Sequence, residues 1–373
     1  MMIATGAGKE GCVHQSQSSI VAIAGSAGGL DAMCKILPCL PDDFPAPIVY
    51  LQHLSGSYNG SLAKVLQWHT TLNVRWARQG ERLEAGVVYL CPPGGSSFVQ
   101  PDGILTLAEP VTTIDHLHPA DNLFASVAAS YAHRAVVIVL SGAGSDGSDG
   151  VSAVRASNGT VLVQQEASAS QRSMPRAAVA TGCVDFVLRL EDIAPVLLSL
   201  MRNGHPLGSL RVKAARFAER KRMYISPGLQ DKAERLLSIA LGLHGTGMGN
   251  IQLLEPGTNN LRIIAQRGFG LDFLDHFAAV NTENGSACGR AMLNRKPVMI
   301  PDVKTDPLFV LHLAIAEAAG FRAVQSTPLV SRDGAFLGVL STHFRTPGPL
   351  QPAKLHWLNW HRRANDLINQ LSY

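Results

Sequence analysis

Charge is scarce in this chain. Asp, Glu, Lys and Arg make up 16% of the 373 residues, and the formal net charge is only +4. A basic excess this mild is too weak by itself to argue for nucleic-acid binding. Long apolar runs are absent too. No stretch reaches the roughly 18 residues that a membrane helix needs, and the N-terminus lacks the basic-then-apolar pattern of a signal peptide. Membrane insertion is therefore not expected, and the expected setting is cytoplasmic. The six cysteines (Cys12, Cys34, Cys39, Cys91, Cys183 and Cys288) contain no C-x-x-C pair. A chain of this length needs no disulfide staples, which agrees with a reducing compartment. The glycine turn at Ile23–Leu30 has neither the Lys-Ser/Thr of a P-loop nor the G-x-G-x-x-G of a dinucleotide fold, which removes the usual support for a nucleotide-binding reading of that turn.

What the chain has is core material. Hydrophobic residues make up 46% of it, and its length of 373 residues favours two or three domains. Residues 1–18 are rich in Gly, Ser and Gln without periodicity, and read as a disordered tail. From 19 to 201, Val- and Ile-rich runs at Ser19–Gly25, Pro47–Gln52, Ala135–Leu140 and Thr160–Gln164 alternate with helical patterns. Unbroken apolar runs suit strands buried on both faces, so this part reads as a doubly wound α/β domain with a parallel sheet. Helices are expected from Gly28–Gly29, with Leu30, Met33 and Leu37 on one face, and around Leu123, Val127 and Tyr131. Residues 202–225 carry Arg211, Lys213, Arg216, Arg220, Lys221 and Arg222. They read either as a solvated linker or as a basic coupling helix.

From 226 to 373 the pattern changes. A helix through Leu229, Ala233, Leu236, Leu237 and Ala240 precedes strands at Asn250–Leu254 and Leu261–Ala265. A helix at Leu271–Phe277, a loop at Asn284–Gly289 and a strand at Val298–Ile300 follow. Strands at Ser326–Val330 and Leu337–His343 are joined by an Asp333-Gly334 hairpin turn. A closing helix carries Leu355, Leu358, Leu367, Ile368 and Leu371. This is the pattern of an α+β domain with a central antiparallel sheet.

Three polar residues follow strands in the first domain. Ser26 stands in the glycine turn Ile23-Ala24-Gly25-Ser26-Ala27-Gly28-Gly29, His53 follows the second strand, and Asp146 lies in Leu140-Ser141-Gly142-Ala143-Gly144-Ser145-Asp146-Gly147. Groups at the carboxyl ends of parallel strands converge on one edge of the sheet. A serine hydroxyl needs a base to become a nucleophile, a histidine titrates in the right range to act as one, and an aspartate fixes the imidazole. Other readings stay open at this level. The glycine turn suits an anion-binding loop or a helix cap, His53 suits a structural hydrogen bond, and Asp149 competes with Asp146. The His116/His118 pair has no third ligand at suitable spacing, so neither a metal nor a cofactor is expected.

With these motifs in order, residues 19–201 resemble the catalytic domain of the chemotaxis protein-glutamate methylesterases (CheB type). The carriers are the 23–29 turn, Gln52-His53, the stretch from Gly80 to Gly94, the His118–Ala128 helix, the 140–147 loop and the tail from Gln164 to Asp185. The resemblance implies catalysis by Ser26, His53 and Asp146 on γ-glutamyl methyl esters of chemoreceptor-like proteins, with deamidation of glutamines in related members. The implied oxyanion donors are the amides of Ala27 and Ala143, positions where the family usually has threonine and methionine. The family's N-terminal receiver domain has no room before Ser19. Residues 226–373 resemble a GAF domain through Gly249–Leu254, Ala265–Phe269, Gly285–Arg290, Asp302–Pro307 and Gln325–Leu329 with Gly338–Ser341. That resemblance implies a small-molecule ligand or a dimer through terminal helices, with the GAF domain regulating the esterase. A rival reading is an esterase fold without turnover that serves as a docking module.

Overall fold

The runs richest in Val and Ile form strands that leave almost nothing in water. In the computed structural model, which describes residues 19–54, 60–108, 118–203, 210, 213–214, 227–331 and 334–348, every residue of β1 (Ile20–Gly25) is buried. The same holds for β8 (Ala135–Val139) and β9 (Thr160–Gln164). They join β2 (Ile48–Gln52), β3 (Asn73–Trp76), β5 (Val87–Leu90) and β10 (Phe186–Leu188) in a seven-stranded sheet of order β10-β9-β8-β1-β2-β5-β3. All six pairings in it are parallel. The chain leaves β1 toward β2 but leaves β8 toward β9, so the connections diverge between β1 and β8. Such a switch point opens a crevice at the carboxyl ends of the strands.

Helices cover both faces. Helix Gly29–Ile36 buries Ala32, Met33 and Ile36, and helix Leu190–Asn203 lies in the same apolar cluster. Helix Pro119–Tyr131 covers the other face through Leu123, Phe124 and Val127. Beside it stands a small antiparallel sheet of β4 (Glu81–Arg82), β6 (Ser96–Val99) and β7 (Ile104–Ala108), in the order β4-β7-β6. Ser130 Oγ donates to the Val99 carbonyl at 2.7 Å and fixes that sheet to the helix.

The second sheet is antiparallel, with order β12-β11-β15-β14-β13. Its strands are β11 (Met248–Leu254), β12 (Leu261–Arg267), β13 (Val298–Ile300), β14 (Ala323–Val330) and β15 (Phe336–Phe344). Helix Pro227–His244 packs on one face through Leu236, Leu237 and Ala240 against Ile251, Ile264 and Leu340. Phe269, Phe273, Phe321 and His343 meet edge-on or stacked on the other face. The two parts share one apolar cluster, in which Leu197 and Leu198 belong with Phe269, Leu271 and Phe273. Across that boundary Leu271 N–H donates to Ser199 Oγ at 2.7 Å, Gly268 N–H donates to the Cys39 carbonyl at 3.2 Å, and Arg345 pairs with Asp42 and Asp43.

The expected loop at Asn284–Gly289 is partly helical. A helix begins at Ala287, and its cap Ser286 accepts the Gly289 N–H at 3.2 Å. Serine before a run of helix formers is an N-cap signal, and it outweighs the glycines. Helix Leu313–Ala319 and the small β4-β7-β6 sheet were not foreseen. The tail at 1–18, nearly all of the basic stretch at 202–225, Asp333, His116 and the closing helix at 355–371 lie outside the described residues.

Candidate active site

The register of the parallel sheet explains how three residues far apart in sequence come to the same sheet edge. Gly25 stands opposite Gln52 in the β1–β2 ladder, so Ser26 and His53 are the next residues out on neighbouring strands. The ladder ends with His53 N–H donating to the Gly25 carbonyl at 2.9 Å. On the other side of β1, Ser26 N–H donates to the Ser141 carbonyl at 3.0 Å, which sets Ser26 against the loop after β8. That loop carries Asp146 back over the edge, where His53 Nε2 lies 2.6 Å from Asp146 Oδ2. Asp146 is buried, whereas Asp149 is exposed on the first turn of helix Ser148–Ala156.

Asp146 is held by more than the imidazole. Its Oδ2 accepts the Ala120 N–H at 2.9 Å and its Oδ1 accepts the Asp121 N–H at 3.0 Å. These are first-turn donors of helix Pro119–Tyr131, which lack partners inside the helix and favour an anion. Asp121 in turn accepts the Gly150 N–H of the next helix at 2.8 Å, so each helix start receives a carboxylate from elsewhere in the site. Burial, together with the neighbouring Asp146 and Asp149 carboxylates, pushes the Asp121 carboxyl up, against the Gly150 bond that lowers it.

Ser26 is half-buried, and Ala27 and Ala143 are exposed. The backbone N–H groups of Ala27 and Ala143 have no hydrogen-bond partner among the described residues. Glycine at 142 is a packing requirement: a Cβ there would stand 2.1 Å from Met174 Sδ and 2.9 Å from Ser26 Cβ. Met174 N–H donates to the Gly142 carbonyl at 3.0 Å, so the segment after β9 closes the far side of the turn. Beside His53 opens a cleft of about 300 Å³ lined by Leu54, Cys91, Pro92, Pro93 and Gly94. Burial pushes the Cys91 thiol up to about 12, so it is a neutral wall of that cleft.

The fold gives His118 neighbours that sequence spacing did not reveal. Its Nδ1 lies 3.2 Å from Asp121 Oδ2 and 4.0 Å from Asp146 Oδ1, and the three ligand-type atoms fall within 4.8 Å of one another. Both carboxylates already accept backbone N–H groups, which accounts for their convergence without an ion. The second domain holds Cys288 buried at a helix start, its thiol pushed up by burial and 3.2 Å from Ser286 Oγ.

Two family models match the chain: CheB methylesterase over residues 21–197 and GAF domain over residues 226–359. A protein-glutamate methylesterase/protein-glutamine glutaminase of Moorella thermoacetica is 38% identical over 186 residues, covering 49% of this chain and 44% of that protein. A shorter relative from Leptospira interrogans is 31% identical over 183 residues, covering 49% of this chain and 95% of its own length. The crystal structure of the Thermotoga maritima CheB methylesterase catalytic domain is 31% identical, with 49% of this chain and 98% of that chain covered at a TM-score of 0.47. The chain spans about half the length of the first curated relatives it matches.

Proposed function

Because this chain belongs to the CheB methylesterase family and also carries a GAF domain, we propose that it hydrolyses γ-glutamyl methyl esters on chemoreceptor-like proteins by a Ser26–His53–Asp146 mechanism. The observation that carries the proposal is the 2.6 Å contact between His53 Nε2 and Asp146 Oδ2, one residue beyond the strand end that neighbours Ser26.

Asp146 engages Nε2, which leaves Nδ1 as the ring nitrogen that takes the Ser26 proton. Ser26 Oγ attacks the γ-carbonyl carbon, and the oxyanion is met by the Ala27 and Ala143 N–H groups. Collapse breaks the C–OCH3 bond, His53 returns the proton to the leaving methoxide, and methanol departs. Water then attacks the seryl ester with His53 as base, which regenerates Ser26 and leaves a glutamate carboxylate. The same acyl step with ammonia as leaving group would deamidate glutamine.

In this reading residues 19–201 are the esterase and residues 226–373 the regulator, joined by the basic stretch at 202–225. The Leu271–Ser199 hydrogen bond and the shared apolar cluster support a regulator docked directly on the esterase. The setting is cytoplasmic, the substrate a methylated receptor segment, and the GAF effector a small molecule. Incubation with methylated receptor tests the proposal: the protein releases methanol and Ser26→Ala does not. Equal release by both would remove Ser26 from the mechanism, and release by neither would favour a docking module.

A further inference from the structure

Ser26 and Ala27 are held by their backbone in an unusual way. Ser26 N–H is spent on Ser141, and the Ala27 carbonyl accepts from Ser141 Oγ at 2.7 Å. The Ser26 carbonyl is held twice, by Gly29 N–H at 2.9 Å and by Gln52 Nε2 at 2.7 Å. The polar groups left over in this pair are the Ser26 hydroxyl and the Ala27 N–H, the two that acyl transfer would use.

The Ser26 carbonyl and the Ala27 N–H belong to one peptide unit. That unit is planar and trans, so its C=O and N–H point in opposite directions. Whatever fixes the carbonyl therefore aims the N–H. Gln52 is itself aimed by a third group, since Tyr50 Oη donates to its Oε1. Tyr50 is fully buried in the core and burial pushes its hydroxyl far up, so it stays a neutral donor. The amide's remaining end, Nε2, can then only face outward, toward the turn. The local sequence makes room for this arrangement. A Cβ at Gly29 would stand 2.8 Å from Gln52 Oε1 and 3.2 Å from Tyr50 Oη, closer than packed atoms approach.

We propose that Gln52 is a positioning residue, oriented by Tyr50, that aims the Ala27 N–H at the developing oxyanion. The inference rests on the nucleophile assignment to Ser26. Its effect lies in the transition state. Gly29 N–H also holds the Ser26 carbonyl, so the turn keeps one of its two bonds when Gln52 is replaced. Deleting an oxyanion donor typically lowers the rate about 10²–10³-fold, and misaiming one should fall somewhat short of that.

The test is steady-state hydrolysis of methylated receptor by Gln52→Glu, Tyr50→Phe and Ser26→Ala, each checked for native thermal unfolding. Glutamate still accepts from Tyr50 but cannot donate to the Ser26 carbonyl. Gln52→Glu should lower kcat about 10–10²-fold with KM within twofold of the parent, and Tyr50→Phe should lower kcat about 3–10-fold in the same pattern. The Ala27 amide resonance should shift in both variants. A Gln52→Glu enzyme with unchanged kcat, or with a raised KM alone, overturns the inference while an inactive Ser26→Ala keeps the nucleophile assignment. An active Ser26→Ala overturns the assignment itself. Should Gln52→Glu fail to fold, Tyr50→Phe decides: unchanged kcat and an unmoved Ala27 resonance overturn the inference.

Discussion

The two sheets of this protein handle polar side chains in opposite ways. The parallel sheet gathers polar side chains such as Ser26, His53 and Asp146 at its carboxyl edge, and the buried ones inside its strands, such as Tyr50 and Gln164, are hydrogen-bonded. Asp146, for example, accepts from His53, Ala120 and Asp121. The antiparallel sheet buries polar groups across its middle. Asn250 stands opposite Ser341, which stands opposite Ser326, and Gln252 and His343 share the same cavity wall. There the Asn250 Oδ1, Gln252 Oε1 and His343 Nδ1 atoms are buried without a hydrogen-bond partner among the described residues. An edge can be polar at little cost because water and loop amides reach it. A polar stripe in a sheet interior lowers stability unless something satisfies it.

The largest effect that would break this contrast lies at the edge. Asp146→Asn should lower kcat by about 10⁴, since one amide oxygen cannot serve His53, Ala120 and Asp121 as the two carboxylate oxygens do, and the imidazole tautomer is no longer fixed. The lost bond at the helix start should also lower the unfolding temperature by a few degrees. A variant with near-parental kcat would mean that Asp146 is only a helix cap.

A second effect separates the sheets by pH. Burial pulls the His343 imidazole down to about 3 from its ordinary 6.5, and burial lowers His276 and His312 as well. Between those pH values the unfolded chain binds protons that the folded domain does not. Stability is thus fully present above about 6.5 and is lost as pH falls toward 3, by a few kcal/mol for His343. Urea unfolding of the second domain at pH 7 and pH 4.5 should reveal this loss, and His343→Leu should shrink it. Identical pH dependence in both proteins would count against the buried neutral imidazole.

The smallest effect concerns the stripe itself. Gln252→Leu removes a buried oxygen that has no hydrogen-bond partner among the described residues and should stabilise the domain by about 1 kcal/mol, read as a raised unfolding temperature. A marked loss of stability would instead mean that internal water already satisfies the oxygen.

How far the sequence foretold these features follows the same division. Ile20–Gly25 and Ala135–Val139 were legible because strands buried on both faces leave unbroken apolar runs, and their ends marked Ser26 and the Asp146 loop. Glu81–Arg82 was not, since a two-residue strand has no periodicity to read. Gln52 was legible as a strand residue and as half of the Gln52-His53 motif, but its bonds to Tyr50 and Ser26 were not, because alternate residues on one side of a strand end become a relay only when another strand end lies beside them. His118 likewise acquired Asp121 and Asp146 as neighbours through packing between two helix starts. In the second domain the pattern gave strands and helices but not the polar stripe, which depends on the register of three strands at once.

The central claim is that the edge of the parallel sheet makes Ser26 a nucleophile. It is tested most directly by time-resolved methanol release from methylated receptor, with Ser26→Ala measured in parallel at matched fold. The parent should turn over, and release by the variant should fall at least about 10⁴-fold. Parental release by Ser26→Ala would contradict it.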